Sequence, residues 1–309
     1  MTMAHEFSFD SSDIIIKMTM ILSSMFAFLI AIINIQKKEK KENMISCFMP
    51  NVETNPSKYH YEKFNMQYSI IWMGVFGCIV IFQLYEGFSA WTYDIVLGVL
   101  ALPLILQPIL YPIGPDKDRC LTQRYAFKAN IWIAIFSFIG NYWYTHYFYS
   151  VLKAEYTMPA HRFNNVPIAL YFATHFYFSS YHGLSNALLR KIMTTYEKGH
   201  QRTLLLVSAV FVLSYFTAFM ETLTISSFPY YSFEDRNMAY TIGSAFYGIY
   251  FVFSFPMFFF FDDCIDDKEK QEVTLWDTVV NACGCGMLVL CALDFVRLWI
   301  AKVPLTVGY

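Results

Sequence analysis

Eight long apolar runs dominate this sequence, each close to the roughly 20 residues that a helix needs to cross a hydrocarbon core. They extend from Met18 to Ile35, Met66 to Leu84, Ile95 to Ile113, Ala129 to Val151, Val166 to Leu189, Thr203 to Ser227, Ala239 to Phe261 and Leu275 to Ile300. Lipid offers the backbone no hydrogen-bond partner, so runs of this length have to satisfy themselves as helices. The expected fold is therefore all-α: a polytopic integral membrane helical bundle with about eight transmembrane helices. Composition agrees, since only 15% of the 309 residues are charged against roughly 25% in soluble domains. The 31 Phe and 23 Tyr suit a bundle that meets lipid tails or a flat apolar ligand. A net charge of -2 offers no footprint for nucleic acid.

The connections are mostly too short for a separate soluble domain. Lysine and arginine test the parse, because cytoplasmic loops carry the excess. Residues 36–65 hold six, 114–128 four, 190–202 four and 262–274 two, so sixteen of the 22 fall on one side. Both termini are then expected away from the cytosol. Residues 1–54 read as an N-terminal extension: a signal-anchor-like span with Glu6, Asp10 and Asp13 before it, then a charged linker containing Pro50 and Pro56. Residues 55–309 form one membrane domain. No internal repeat is visible, which argues against a transporter built from inverted halves.

Seven cysteines, an odd number lying mostly in or beside apolar segments, do not describe a disulfide framework. Cys283 and Cys285 point about 200° apart on a helix and make a poor metal pair. No phosphate-binding loop, nucleophile elbow or histidine cluster is present, so no metal and no cofactor is expected.

Chemistry has to come from polar residues inside the spans, where each is costly and therefore a functional candidate. On the fifth span Tyr171, His175, Ser179, His182 and Asn186 share one helix face by their spacing. The sixth repeats the pattern with Ser214, Thr217, Glu221 and Thr224. His175 and Glu221 lie roughly 13 and 9 Å from the non-cytoplasmic end at 1.5 Å per residue. They could meet at that level, as could Asn141 on the fourth span. Glu221 has no basic residue three or four positions away, so burial favours its neutral acid form, which a proton donor requires. Asp294 and Arg297, three apart, read as an interfacial ion pair.

At the fourth and fifth spans the blocks Gly140-Asn141-Tyr142-Trp143-Tyr144-Thr145-His146, Tyr156-Thr157-Met158-Pro159, Asn164-Asn165-Val166-Pro167 and Thr174-His175 resemble the cycloeucalenol cycloisomerases of sterol synthesis. Further blocks follow in the family order, among them Asn55-Pro56-Ser57-Lys58, Leu213-Ser214-Tyr215-Phe216, Glu221-Thr222 and Ser254-Phe255-Pro256-Met257. The resemblance covers roughly residues 55 to 300. A weaker one, at Met220-Glu221-Thr222-Leu223-Thr224 and Tyr247-Gly248-Ile249-Tyr250, is to sterol isomerases of the emopamil-binding-protein type, where the matching glutamate belongs to the proton-transfer site.

The resemblance implies a redox-neutral isomerase that opens the 9,19-cyclopropane of a cyclopropyl sterol to a Δ8 sterol, without a cofactor, in the endoplasmic reticulum. Glu221 and His175 are the expected catalytic pair. Asn141, Trp143, Tyr144, His146, Asn165, Tyr171, His182 and Tyr250 are the expected substrate contacts. The competing expectation is a polytopic sterol carrier or receptor that binds the same ligand without chemistry. The partners expected are the sterol and membrane lipid.

Overall fold

The computed structural model describes residues 11–35, 46–150, 153–226, 228–234, 243–261, 265 and 273–300. Each apolar run is helical there: α1 Ser11–Ile35, α2 Pro56–Ile81, α3 Ala90–Leu110, α4 Tyr125–Ile139, α5 Thr145–Ser150, α6 Ile168–Thr195, α7 His200–Ser226, α8 Ser244–Phe260 and α9 Leu275–Phe295. A π-turn, Gly140–Tyr144, joins α4 to α5. The all-α class stands, and the protein is an integral membrane protein.

Among the described residues, four helices are long and apolar enough to cross a membrane by length and composition: α2, α3, α7 and α9. The expected count of eight is not reached on that measure. The apolar stretch of α1, Thr19–Asn34, and α8 are shorter. α6 runs for 28 residues but carries His175, His182, Asn186, Arg190 and Lys191, a polar load tolerable in lipid only where it faces protein.

That condition is met. His175, Ser179, His182 and Asn186 are all buried, and the stripe forms a seam against α2 and α4. Asn65 of α2 donates to the Ser179 carbonyl at 2.6 Å. Asn186 donates to Glu62 at 3.0 Å, and Arg190 grips the same carboxylate with two bonds of 2.8 Å. Apolar layers flank this seam. Trp132 and Phe136 of α4 pack with Phe255 and Phe258 of α8 and Val289 of α9, while Trp72 of α2 and Leu97 of α3 pack with Phe176 of α6. Ala101, Ala129, Ala282 and Cys285 have no exposed surface. Small side chains at such positions let helices approach closely, which matters where lipid removes the hydrophobic drive.

At the basic end the cations do structural work. Arg124 donates to the carbonyls of Pro108 and Ile109 at the end of α3, Arg202 to those of Met193 and Tyr196 at the end of α6, and Lys58 to that of Phe259 at the end of α8. Helix C-termini leave carbonyls unpaired and carry partial negative charge, so a buried cation satisfies both needs. Several of the charges counted toward the basic loops are thus helix caps.

The opposite end carries two small sheets. In one, β2 Arg162–Phe163 and β3 Val166–Pro167 pair through Asn164 and Asn165, whose φ values are 51° and 61°. Asparagine tolerates this left-handed region, and a two-residue turn with both φ positive matches the twist of a hairpin. In the other, β1 Ala154–Tyr156 pairs with β4 Tyr231–Phe233, with Tyr156 opposite Tyr231. This second sheet ties the segment before α6 to the one after α7. α1 lies along α7, with Phe26 edge-on to Phe216 at 5.8 Å.

Candidate active site

Glu221 sits five residues before the end of α7. Tyr247, near the start of α8, donates to its Oε2 at 2.9 Å, and the Tyr181 phenol of α6 comes up to the same carboxyl. Gly248 makes the first contact possible: a Cβ there would lie 2.9 Å from the ring of Tyr215 on α7. Any larger residue would push α8 away from α7 and carry Tyr247 with it.

Around this carboxyl stand further phenols. Tyr177, Tyr231, Tyr156 and Tyr250 all interact with it electrostatically. Tyr250 packs on Tyr247 at 5.0 Å between centroids and on Tyr144 at 4.6 Å. Tyr156 and Tyr231, 5.1 Å apart across the cap sheet, close one end. Burial pushes both of these phenols above their ordinary pKa, so they remain neutral hydroxyls. Glu221, Tyr177, Tyr181, Tyr231, Tyr247 and Tyr250 each keep part of their surface accessible, although α6, α7, α8 and the cap enclose them. Together they form a cluster of one carboxyl and aromatic faces.

The expected pairing of Glu221 with His175 is not formed. His175 bonds Asn130 of α4 at 3.1 Å. The two residues belong to different faces of the bundle. At 3.6 residues per turn His175 stands roughly 120° from Tyr181 and 160° from Tyr177 around α6, so it looks into the α4 seam while the tyrosines look toward α7.

The other expected contacts are dispersed. Tyr144 and Tyr250 adjoin the tyrosine cluster around Glu221. Tyr144 is buried and donates to the Gly286 carbonyl at 2.6 Å. Asn141 bonds Ser137 and Thr174 along the seam between α4 and α6. His182 lies in a box of aromatic rings, with Phe258 and Phe255 nearest at 5.1 and 5.2 Å, and its Nδ1 meets the Phe178 carbonyl at 2.7 Å. Tyr171 donates to the Phe163 carbonyl at 3.1 Å, Asn165 forms the hairpin turn, and Trp143 is 49% exposed. His146 belongs to α5, and its side chain lies outside the described residues.

Tyr177, Tyr181, Tyr231 and Tyr247 were missed by reading the sequence. Tyr177 and Tyr181, four apart on α6, carried a usable signal: a second polar face across the helix from the histidine stripe. In a chain with 23 tyrosines that signal does not stand out from bulk aromatic packing.

Comparison with known proteins adds one clear relation. No family profile matches the chain, and no solved structure does. Among curated proteins, cycloeucalenol cycloisomerase of Arabidopsis thaliana is 41% identical over 258 residues, which cover 82% of this chain and 91% of that protein. Identity at this level over most of both chains shows that the protein is an enzyme and that it belongs to the cycloeucalenol cycloisomerase family.

Proposed function

We propose that this enzyme opens the 9,19-cyclopropane ring of a cyclopropyl sterol of the cycloeucalenol type to give a Δ8 sterol, with Glu221 as the acid. The observation that carries the reading is the Glu221 carboxyl set among phenols and aromatic faces. The relative's printed name supplies the substrate class.

The chemistry asks for three things. An acid protonates the bridging methylene, the electron pair of the cleaved ring bond forming the new C–H bond. Cationic character at the ring-fusion carbon then needs a tolerant wall, and aromatic faces provide one. A base then takes the neighbouring ring proton and returns it to solvent, and the C–H electron pair becomes the double bond, so the sum is an isomerisation. An enclosed carboxyl with phenol donors fits the first step, because those donors stabilise the carboxylate left behind. Tyr247 and Tyr181 take that role in this scheme, and Tyr177, Tyr144 and Tyr250 supply the wall. His175 is assigned to holding α6 on α4 through Asn130. We also read all eight helical segments as crossing an endoplasmic reticulum membrane, with both termini on the non-cytosolic side and residues 1–54 as an anchor-like extension.

Incubation of the purified enzyme with a cyclopropyl sterol in heavy water tests the reading. The expected product has an opened ring and one deuterium in the new angular methyl group, in nearly every molecule under multiple turnover. Unchanged sterol would refute the activity. An unlabelled methyl would mean that the proton is recycled within the substrate, and Glu221 would lose its role as the acid.

A further inference from the structure

We propose that a row of phenols, Tyr247, Tyr250 and Tyr147, connects Glu221 to a second carboxylate, Asp294, and serves as the route by which Glu221 regains its proton from solvent. This inference rests on Glu221 being the acid. It goes further in naming the residues that reset the site.

The need follows from the proton balance. Each turnover moves the Glu221 proton into a C–H bond of the product, while the ring proton lost by the substrate goes to a base and from there to solvent. Nothing is gained or lost overall, but Glu221 is left as a carboxylate. It has to be reprotonated before the next substrate, and it lies inside the bundle.

Asp294 is placed to supply that proton. It stands near the end of α9 with its side chain 48% exposed, paired to the buried Arg297 at 2.9 Å. The Tyr147 hydroxyl, inside the bundle on α5, donates to Asp294 Oδ1, and the Arg297 guanidinium lies 5.5 Å from the Tyr147 ring. An ion pair that merely anchored the helix at the interface would have no need of a buried phenol. Tyr250 is within electrostatic reach of both Tyr147 and Glu221. Tyr250 in turn packs on Tyr247, the hydrogen-bond donor to Glu221. Tyr144, its hydroxyl held by the Gly286 carbonyl, walls the row from the side. A phenol hydroxyl both donates and accepts, so a row of them can hand a proton inward without any member ionising for long. The residues come from α5, α7, α8 and α9, all near the end of the bundle that carries the cap sheet.

The test measures how long the acid remembers its solvent. Enzyme equilibrated in heavy water is diluted into ordinary water, held for a varied delay, then given one equivalent of cyclopropyl sterol and quenched. Deuterium in the new methyl is read by mass spectrometry. In Tyr147→Phe and in Asp294→Asn the label should survive about tenfold longer than in wild type, the factor that about 1.4 kcal/mol on a barrier produces. A purely structural role would alter folding or substrate affinity and leave this delay unmoved. Equal delays in wild type and both folded variants would overturn the route and leave Glu221 as the acid. Failure of the wild type to take solvent label under continuous heavy water would remove the acid assignment itself, and the route with it.

Discussion

Replacing Glu221 by glutamine is expected to lower turnover at least about 100-fold, the loss typical of a missing general acid. Glutamine keeps the size of the side chain and can still accept from Tyr247, so the packing around it is kept. It cannot release a proton to an unreactive hydrocarbon. Tyr247→Phe makes the companion measurement. It removes the 2.9 Å bond to Oε2, and a hydrogen bond to a charged group is worth about 1.5–3 kcal/mol. Turnover should then drop by about tenfold or more, chiefly in kcat, because the bond strengthens as the carboxylate forms. Rates are compared on protein that elutes as a single species and binds sterol. Near-normal turnover in a folded Glu221→Gln would sink the proposed mechanism.

The largest effect on stability is expected at Glu62. Its carboxylate is completely buried on α2 and is held by two bonds from Arg190 and one from Asn186, while Arg190 also reaches the Phe48 carbonyl and lies over the Phe259 ring. Glu62→Ala leaves the guanidinium buried without its counter-charge, and losses of about 3–5 kcal/mol follow when one partner of such a pair is removed. The double variant Glu62→Met with Arg190→Met buries no charge and should recover most of that loss. Thermal unfolding in detergent, followed by the fraction remaining monodisperse, measures both. A single variant as stable as wild type would show that the pair is hydrated and that the α2–α6 seam depends on something else.

Reading the chain as a string of residues reached its class and picked out the carboxyl proposed here as its acid. The apolar runs forced helices, because lipid leaves a backbone no other way to satisfy its polar groups. Every run is helical, α1 through α9, and the boundaries moved by a few residues to ten. The resemblance carried by blocks such as Gly140 to His146 led to the family that the curated relative shows. Glu221 stood out because a carboxyl without a basic neighbour on its own helix is conspicuous in so apolar a segment.

What lay beyond the sequence was which side of each helix meets which neighbour. Helical spacing groups residues on a face, and it correctly grouped His175, Ser179, His182 and Asn186. It does not say whether that face turns toward α7 or toward α2 and α4. Depth along the helix is a one-dimensional quantity, readable from counting, and it placed His175 level with Glu221. Azimuth depends on the packing of the whole bundle: on Asn130 receiving His175, on Glu62 holding Asn186 and Arg190, and on Gly248 letting Tyr215 approach α8. Those contacts join residues far apart in the chain, so only the tertiary structure decides them, and it surrounds Glu221 with tyrosines rather than a histidine.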